Sequence, residues 1–256
     1  MAVETNNADA GVNGAAVSTG DTGSGDPWDV VSAGSGTITY DSGNAYKGSN
    51  GIAITSGTAA DRCYLGWEPA AAPTKQATRF YFKFATLPTS AYEMFRISNT
   101  ALSAPRLSIV VSSSGYLRIG NYVGAYINAF GGASTSTTAI SAGTWYRLEL
   151  GVDVSGGASA GIVNMDVYTG DSTSAISGLS GAATGQSFTT TLPLTIFGRT
   201  GSLTDHPIMY LDDLAISTGT TTYLGPSPTP STAATAAATA AGRSPTLRLL
   251  VNAQAA

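Results

Sequence analysis

Few side chains in this sequence can do chemistry, and their spacing restricts what that chemistry is. His206 is the only histidine and Cys63 the only cysteine. A multi-histidine zinc site and a zinc finger are therefore excluded, since tetrahedral zinc needs several nitrogen or sulfur ligands. A Ser-His-Asp triad would have to recruit His206. Gly157-Ala158-Ser159-Ala160-Gly161 matches the string G-x-S-x-G. That string presents a nucleophile only on a strand-to-helix elbow of an α/β sheet. Here it joins two strand patterns and reads as a hairpin loop, and Asp205-His206 reads as a turn before a strand.

Carboxylate chemistry is also constrained. A glycosidase needs two carboxyl groups about 5–5.5 Å apart for retention or about 6.5–9.5 Å apart for inversion. The glutamates are Glu4, Glu68, Glu93 and Glu149, none close to another in sequence. Glu149 and Asp153 stand four residues apart on one strand pattern, with α-carbons about 13 Å apart. That is too far for either geometry, and these acids are expected on a solvated outward face. Acids from separate strands can still converge, which keeps a glycosidase as a third reading.

Asp212-Asp213 lies in MYLDDLAIST. Met209 and Leu211 share one parity and Leu214 and Ile216 the other. Either both faces of this strand are covered or a bulge at the acid pair switches the buried face. One acid can cap a neighbouring turn, or the pair can ligate a structural Ca²⁺ together with backbone carbonyls. GYLRIGNYVGAYINAFGG concentrates Tyr116, Tyr122, Tyr126 and Phe130. Exposed aromatic rings among Asn and Gly form a sugar-stacking platform, whereas buried ones would pack a long loop onto the domain. Trp67 and Trp145 are read as core or sheet-face residues.

The elements that must position these groups are strands. Charged residues make up only 11% of the chain, against roughly 25% in an ordinary soluble domain. There are 31 glycines, 12 Lys+Arg and 16 Asp+Glu, for a net charge of −4. Charge-laced helices and coiled coils are excluded, and nucleic-acid binding lacks its basic footprint. No apolar run reaches the roughly 18 residues of a membrane helix. MAVETNNADAGVNG shows neither the basic nor the apolar region of a secretory signal.

From Trp28 to about Leu224, runs of β-branched and aromatic residues alternate with Gly, Ser, Thr and Asn. Expected strands are 37–40, 52–55, 62–67, 78–85, 93–99, 106–111, 116–119, 144–154, 162–168, 194–198 and 208–218. In TRFYFKF, Phe80, Phe82 and Phe84 share one face and Arg79, Tyr81 and Lys83 the other. In WYRLELGVDV, Tyr146, Leu148, Leu150, Val152 and Val154 oppose Trp145, Arg147, Glu149 and Asp153. Period two with one apolar face predicts half-buried antiparallel strands. The fold class is all-β: an antiparallel two-sheet β-sandwich with an irregular N-terminal segment and an extended C-terminal arm. Residues 1–26 are expected as an N-terminal segment or leading strand, 27–225 as the sandwich, and 226–256 as an Ala/Thr/Pro-rich linker and arm. In that arm Leu247, Leu249, Leu250 and Val251 form an apolar patch suited to docking on a partner.

GTITYDSGNAYKGSNGIAIT, CYLGW, GTWYRLELGVDVSGG and IMYLDDLAIST, in that order, resemble a concanavalin A-like (LamG-like) jelly roll. The tripartite layout, a start without a signal, a jelly roll ending in LDDLAIST and an Ala/Thr/Pro tail, is similar to virion proteins of phages of actinobacteria. The resemblance implies a non-enzymatic structural protein, a capsid-decoration or minor tail component in a multicopy assembly with capsid or tail proteins. It also leaves room for a host cell-surface glycan as ligand. The laminarinase string E-x-D-x-x-E is missing, and the paired metal ligands of legume-type lectins find no match. Galactose-binding-like carbohydrate modules resemble the start and end segments too, and would make Asp212-Asp213 a calcium site. A carbohydrate-binding module of a secreted protein is the alternative, with an extracellular rather than virion location. No cofactor other than that structural Ca²⁺ is expected.

Overall fold

The structure is a computed structural model that describes residues 2–23, 25–57, 62–103, 105–121, 125–199 and 207–228. Fourteen strands are described: β1 Val3–Asn6, β2 Val30–Ser32, β3 Thr37–Asp41, β4 Gly51–Thr55, β5 Cys63–Trp67, β6 Lys75–Phe84, β7 Tyr92–Ser98, β8 Pro105–Val111, β9 Leu117–Asn121, β10 Tyr146–Asp153, β11 Gly161–Thr169, β12 Gly181–Gln186, β13 Leu194–Arg199 and β14 Met209–Thr218. They form two antiparallel sheets. The larger has eight strands in the order β12-β11-β10-β6-β14-β4-β3, with β1 also pairing β14. The smaller has six, in the order β2-β5-β13-β7-β8-β9. The expected all-β two-sheet sandwich is the architecture found.

The core follows from the alternation. Phe80, Phe82 and Phe84 on β6 and Leu148, Leu150 and Val152 on β10 are buried. They meet Phe95 and Phe197 of the six-stranded sheet, with Phe80 stacked on Phe95 at 5.6 Å and edge-on to Phe197 at 5.3 Å. Trp28 and Trp67 stack at 4.5 Å, centroid to centroid, at the β5 side of the same core. Each fully buried aromatic or aliphatic side chain contributes roughly 1.5–3 kcal/mol. One polar clip crosses the core. Gln76 Nε2 on β6 donates to Thr195 Oγ1 on β13 at 2.8 Å, and Thr195 Oγ1 donates back to Gln76 Oε1 at 3.1 Å. Both residues are fully buried, and the paired bonds offset the cost of removing them from water.

Strand β1 is the leading strand allowed for residues 1–26, and two strands escape the pattern reading, β2 and β12. They are short, and β12 is GAATGQ, with no β-branched side chain beyond one Thr. Their pairing comes from neighbours rather than from propensity. The SSSGYL turn joins β8 to β9 as expected, with Gly115 N donating to Ser112 O and Gly115 at φ 80°. The Gly157–Gly161 segment links β10 to β11 as a hairpin loop.

One expectation fails. The alternation of β6 and β10 predicts half-buried strands, yet both of their faces are covered, and on β14 both alternatives hold, with covered faces and a bulge at the acid pair. Arg79, Tyr81, Arg147, Glu149, Asp212 and Asp213 are all buried although they point away from the core. The cover is made of the chain's own loops: residues 219–227 after β14, residues 46–47, where Tyr46 stacks on Tyr81 at 4.5 Å, and residues 170–172 after β11.

Candidate functional site

The outer face of the eight-stranded sheet gathers the densest set of charged and aromatic groups. Antiparallel register sets Arg147 opposite Tyr81 and Glu149 opposite Arg79 on one side. On the other it sets Arg147 opposite Tyr168 and Glu149 opposite Asp166. Asp212 lies opposite Tyr81. Every one of these residues alternates with a core residue, so the same period that builds the core also builds this face.

Arg147 is the hub. Its Nε lies 3.1 Å from Glu149 Oε1, an ion pair without hydrogen-bond alignment. Nη1 and Nη2 donate to Gly170 O and Ser172 O, both at 3.0 Å. The guanidinium stacks 4.2 Å from the Tyr168 ring centroid. Beside it, Tyr81 OH donates to Asp171 Oδ1 and accepts from Ser227 N at 3.0 Å. Lys47 Nζ pairs with Asp171 Oδ2 at 2.9 Å and donates to Ser227 O.

The strap is therefore bound by charge-assisted contacts rather than by sheet pairing. Leu224 N donates to Glu149 Oε2 at 3.0 Å, and Arg79 Nη1 donates to Gly225 O at 3.3 Å. Gly151 on β10 lets it lie close: a Cβ there would come within 2.6 Å of Thr221 O. Burial pushes the Glu149 carboxyl up to about 7, against the opposing pull of the Leu224 N–H, Arg147 and Arg79. The expectation of a solvated acid at Glu149 is thus overturned. The residue is 1% exposed because residues 219–227 cover the face on which it stands. Asp153 behaves as expected, partly exposed and paired with Lys75 Nζ at 2.9 Å. The Ser155 hydroxyl holds its carboxyl down at about 2, helped by Lys75.

Asp212 and Asp213 sit at a bulge, with the β14–β6 register shifting between Asp212 and Ala215. Asp213 has φ 46°, a left-handed conformation that lets two successive acids share the buried outer side. Asp212 caps the loop after β3: Oδ2 accepts from Tyr46 N at 2.7 Å and Lys47 N at 3.0 Å, and Oδ1 from Asp213 N at 2.8 Å. Burial pushes the Asp212 carboxyl up to about 8, opposed by those N–H groups. Asp213 Oδ2 is buried without a hydrogen-bond partner. Among the described residues no three His, Cys, Asp or Glu side chains converge as a metal-ligand set. A Ca²⁺ here would thus rely on Asp213, backbone carbonyls and water, and Asp212 would have to share oxygens already engaged by N–H groups.

Among the described residues, open ground is found beyond this sealed face. At the β11–β12 end of the large sheet, a cavity of about 430 Å³ is lined by Ala129, Gly131, Asn164, Asp166, Ser180, Gly181, Ala182 and Tyr223. At the margin of the small sheet, Tyr116 and Tyr126 are 37% and 40% exposed. Tyr126 bridges Gly120, so it shares the outward side of β9 with Tyr116 and Arg118. The three form a row spanning about 13 Å, in which the Arg118 guanidinium already lies 5.0 Å from the Tyr126 ring centroid. Phe130 is buried and packs its loop.

The sequence reading thus placed Tyr116 and Tyr126 on one surface and Asp212 and Asp213 on another. Tyr122, His206, Leu247, Leu249, Leu250 and Val251 lie outside the described residues. Trp67 is in the core, and Trp145 is partly covered on the outer sheet face, 5.0 Å from Lys83 Nζ. The reading missed the Arg147–Glu149–Tyr81 cluster and the Asn164–Asp166–Tyr223 pocket. The alternation in VNMDVYT, with Asn164, Asp166 and Tyr168 opposite Val163, Met165 and Val167, carried the signal for the second.

No protein-family model matches the chain, and no curated protein matches it by sequence. Among solved structures it is similar to the cellulose induced protein Cip1, with 17% identity and a TM-score of 0.59 over 78% of this chain and 94% of that one. It is also similar to a Trypanosoma rangeli sialidase in complex with the inhibitor DANA, with 12% identity and a TM-score of 0.51 over 83% of this chain but only 30% of the sialidase. These likenesses are of fold alone, the concanavalin A-like sandwich.

Proposed function

We propose that this chain is a non-enzymatic virion protein of a bacteriophage, a capsid-decoration or minor tail component that displays a concanavalin A-like sandwich. The observation that supports the non-enzymatic part is the sealed outer face of the large sheet. Glu149 and Asp166 are direct cross-strand neighbours, the kind of pair a glycosidase places across a bond. Only Asp166 faces an open cavity. Glu149 is closed under Leu224, with one oxygen held by a backbone N–H and the other beside Arg147. An acid fixed in this way has no access to a glycosidic oxygen.

The display part draws on the sequence layout. The strap anchors the chain to the sheet as far as Ser227, at the very start of the Ala/Thr/Pro-rich stretch 226–256. A tail that starts from a rigid point can tie many copies to a lattice, and many weak ties add up through avidity.

The test is mass spectrometry and electron microscopy of density-purified particles from the source. The chain is expected at a fixed multiplicity, as regularly spaced density on capsid or tail. Replacing Leu247, Leu249, Leu250 and Val251 by Ser in the full chain is expected to abolish incorporation while the sandwich still folds. Absence of the chain from purified particles overturns the reading. Release of reducing ends from a polysaccharide, abolished by Glu149→Gln, overturns its non-enzymatic part.

A second reading, a carbohydrate-binding module, is favoured by the exposed row Tyr116, Arg118 and Tyr126. It predicts retention on an immobilised glycan that is lost in Tyr116→Ala/Tyr126→Ala.

A further inference from the structure

We propose that Lys83 and Asn44 join in an intramolecular isopeptide bond, with Asp41 carrying the proton between them. The bond needs neither a cofactor nor a second protein, and it is independent of whether the chain is displayed on a particle.

The three residues meet where β6 and the turn after β3 come together on the outer side of the large sheet. Antiparallel register sets Lys83 opposite Tyr210. Its Nζ lies 4.9 Å from that ring centroid and 5.0 Å from that of Trp145. All three side chains are partly covered. The other lysines, Lys47 and Lys75, each hold a carboxylate at 2.9 Å. The Lys83 amine instead donates to Asn44 Oδ1 at 2.8 Å. With a C=O length of about 1.23 Å and an angle at the oxygen wider than a right angle, Nζ stands about 3.1–4.0 Å from Asn44 Cγ. That range overlaps the near-attack separation of about 3–3.5 Å.

The turn 42–44 holds the amide in place. Asp41 Oδ1 accepts from Gly43 N at 2.7 Å, and Asp41 Oδ2 accepts from Asn44 Nδ2 at 3.1 Å. Only this orientation of the Asn44 amide satisfies both neighbours, since an ammonium only donates and a carboxylate only accepts. Gly51 lets the turn lie close: a Cβ there would come within 2.8 Å of Asn44 O. Asn44 is thus fixed at its backbone and at its amide. Groups held in contact react as though at very high concentration, which an unreactive carboxamide requires.

The attacking group is the neutral amine. Removal from water lowers the Lys83 pKa, against the pull of Asp41, and so enlarges the share of free amine. The nitrogen lone pair forms the Nζ–Cγ bond while the C=O electrons pass to Oδ1. Asp41 Oδ2, already on Nδ2, takes one proton from the attacking nitrogen and gives it to Nδ2. The C=O re-forms, the Cγ–Nδ2 bond breaks and Nδ2 leaves as ammonia. One amide replaces another, and no oxidant or co-reactant is consumed. The product ties β6 to the turn beyond the edge strand β3, across β14 and β4. It closes a loop of chain spanning 39 positions, and a cross-link of that kind restricts the unfolded chain.

The test is intact mass spectrometry of the full chain after folding and prolonged incubation, followed by tryptic mapping. The wild type is expected to be lighter than its sequence mass by one ammonia. It should also yield a branched peptide joining 1–47 to 80–96, because trypsin does not cut at an acylated Lys83. Lys83→Arg and Asn44→Ala are expected at full mass. Asp41→Asn keeps an acceptor for Gly43 N but cannot carry the proton, and is expected to slow the mass loss about a hundredfold. Mapping is needed because Asn13-Gly14 and Asn50-Gly51 also shed ammonia when the amide closes on its own backbone. A wild type that stays at full mass overturns the proposal, and so does an ammonia loss without the branched peptide. An undiminished rate in Asp41→Asn overturns the part given to Asp41.

Discussion

The outer sides of the two sheets start from the same alternation and end in opposite states. On β10, Arg147 and Glu149 are each 1% exposed, as sealed as the phenylalanines of the core. At β9, Tyr116 lies open and Arg118 is only partly covered, although both alternate with the core residues Leu117 and Ile119. The difference is not in the strands. It is in what the chain does after each sheet is built: residues 219–227 return across β6, β10 and β14, whereas no such strap crosses the outward side of β9 among the described residues. Polarity at every second position marks a face as outward from the core, but only another piece of chain decides whether that face meets water.

This contrast can be broken most sharply at Arg147. Arg147→Met removes the partner of Glu149 and the donors to Gly170 O and Ser172 O. A loss of about 3–5 kcal/mol is expected in urea unfolding, as for other broken buried pairs. Arg147→Met combined with Glu149→Leu should recover much of it, because an apolar pair needs no compensation for desolvation. Equal destabilisation in single and double variants would mean that the pair is not what holds the face.

The strap itself comes next. Leu224→Pro deletes the N–H that caps Glu149 Oε2 and is expected to cost about 1–3 kcal/mol. It should also speed amide exchange around residues 219–227, and unchanged exchange there would show that the strap is held elsewhere.

The pH response follows from the raised carboxyl of Glu149. Its folded value of about 7 lies above its ordinary 4.5, so the folded chain binds more protons than the unfolded chain between those values. The associated stability is full below about pH 4.5 and is lost as pH rises through 7. The urea midpoint is therefore expected to fall from pH 5 to pH 7, and Glu149→Gln to flatten that fall. A midpoint that climbs across this window contradicts the burial of the group. At the open margin the smallest effect is expected: Tyr116→Ala and Tyr126→Ala should each change stability by no more than about 0.5 kcal/mol. A larger loss by thermal melting would place those rings in a structural rather than a surface role.

Much of the fold was legible in the sequence. The TRFYFKF and WYRLELGVDV alternations name the core residues of β6 and β10, and SSSGYL names the β8–β9 turn. The bulge at Asp212-Asp213 was announced by the change of parity from Leu211 to Leu214. Strands β2 and β12 were not legible, since a three-residue run and a Gly/Ala-rich one acquire strand geometry only from the neighbours they pair with, whereas β1 is the leading strand that residues 1–26 allowed. Of the candidate sites, the exposed row at Tyr116 and Tyr126 was readable from local composition. The Asn164–Asp166–Tyr223 pocket was not, because Tyr223 is 57 positions beyond Asp166 in the chain.

By itself the sequence determined that this is a two-layer β-sandwich and which side chains point inward, because side-chain direction alternates with every residue of a strand and a one-residue slip would expose the whole core. It also limited the chemistry: one histidine and one cysteine leave little for metal or nucleophilic catalysis. Only the tertiary structure decided that Glu149 is an enclosed acid rather than a solvated one, and that Asp166 meets open space. Those outcomes depend on where a distant, weakly patterned segment comes to rest. Its position is set by the summed hydrogen bonds and burial of the assembled sheet, which no local pattern encodes.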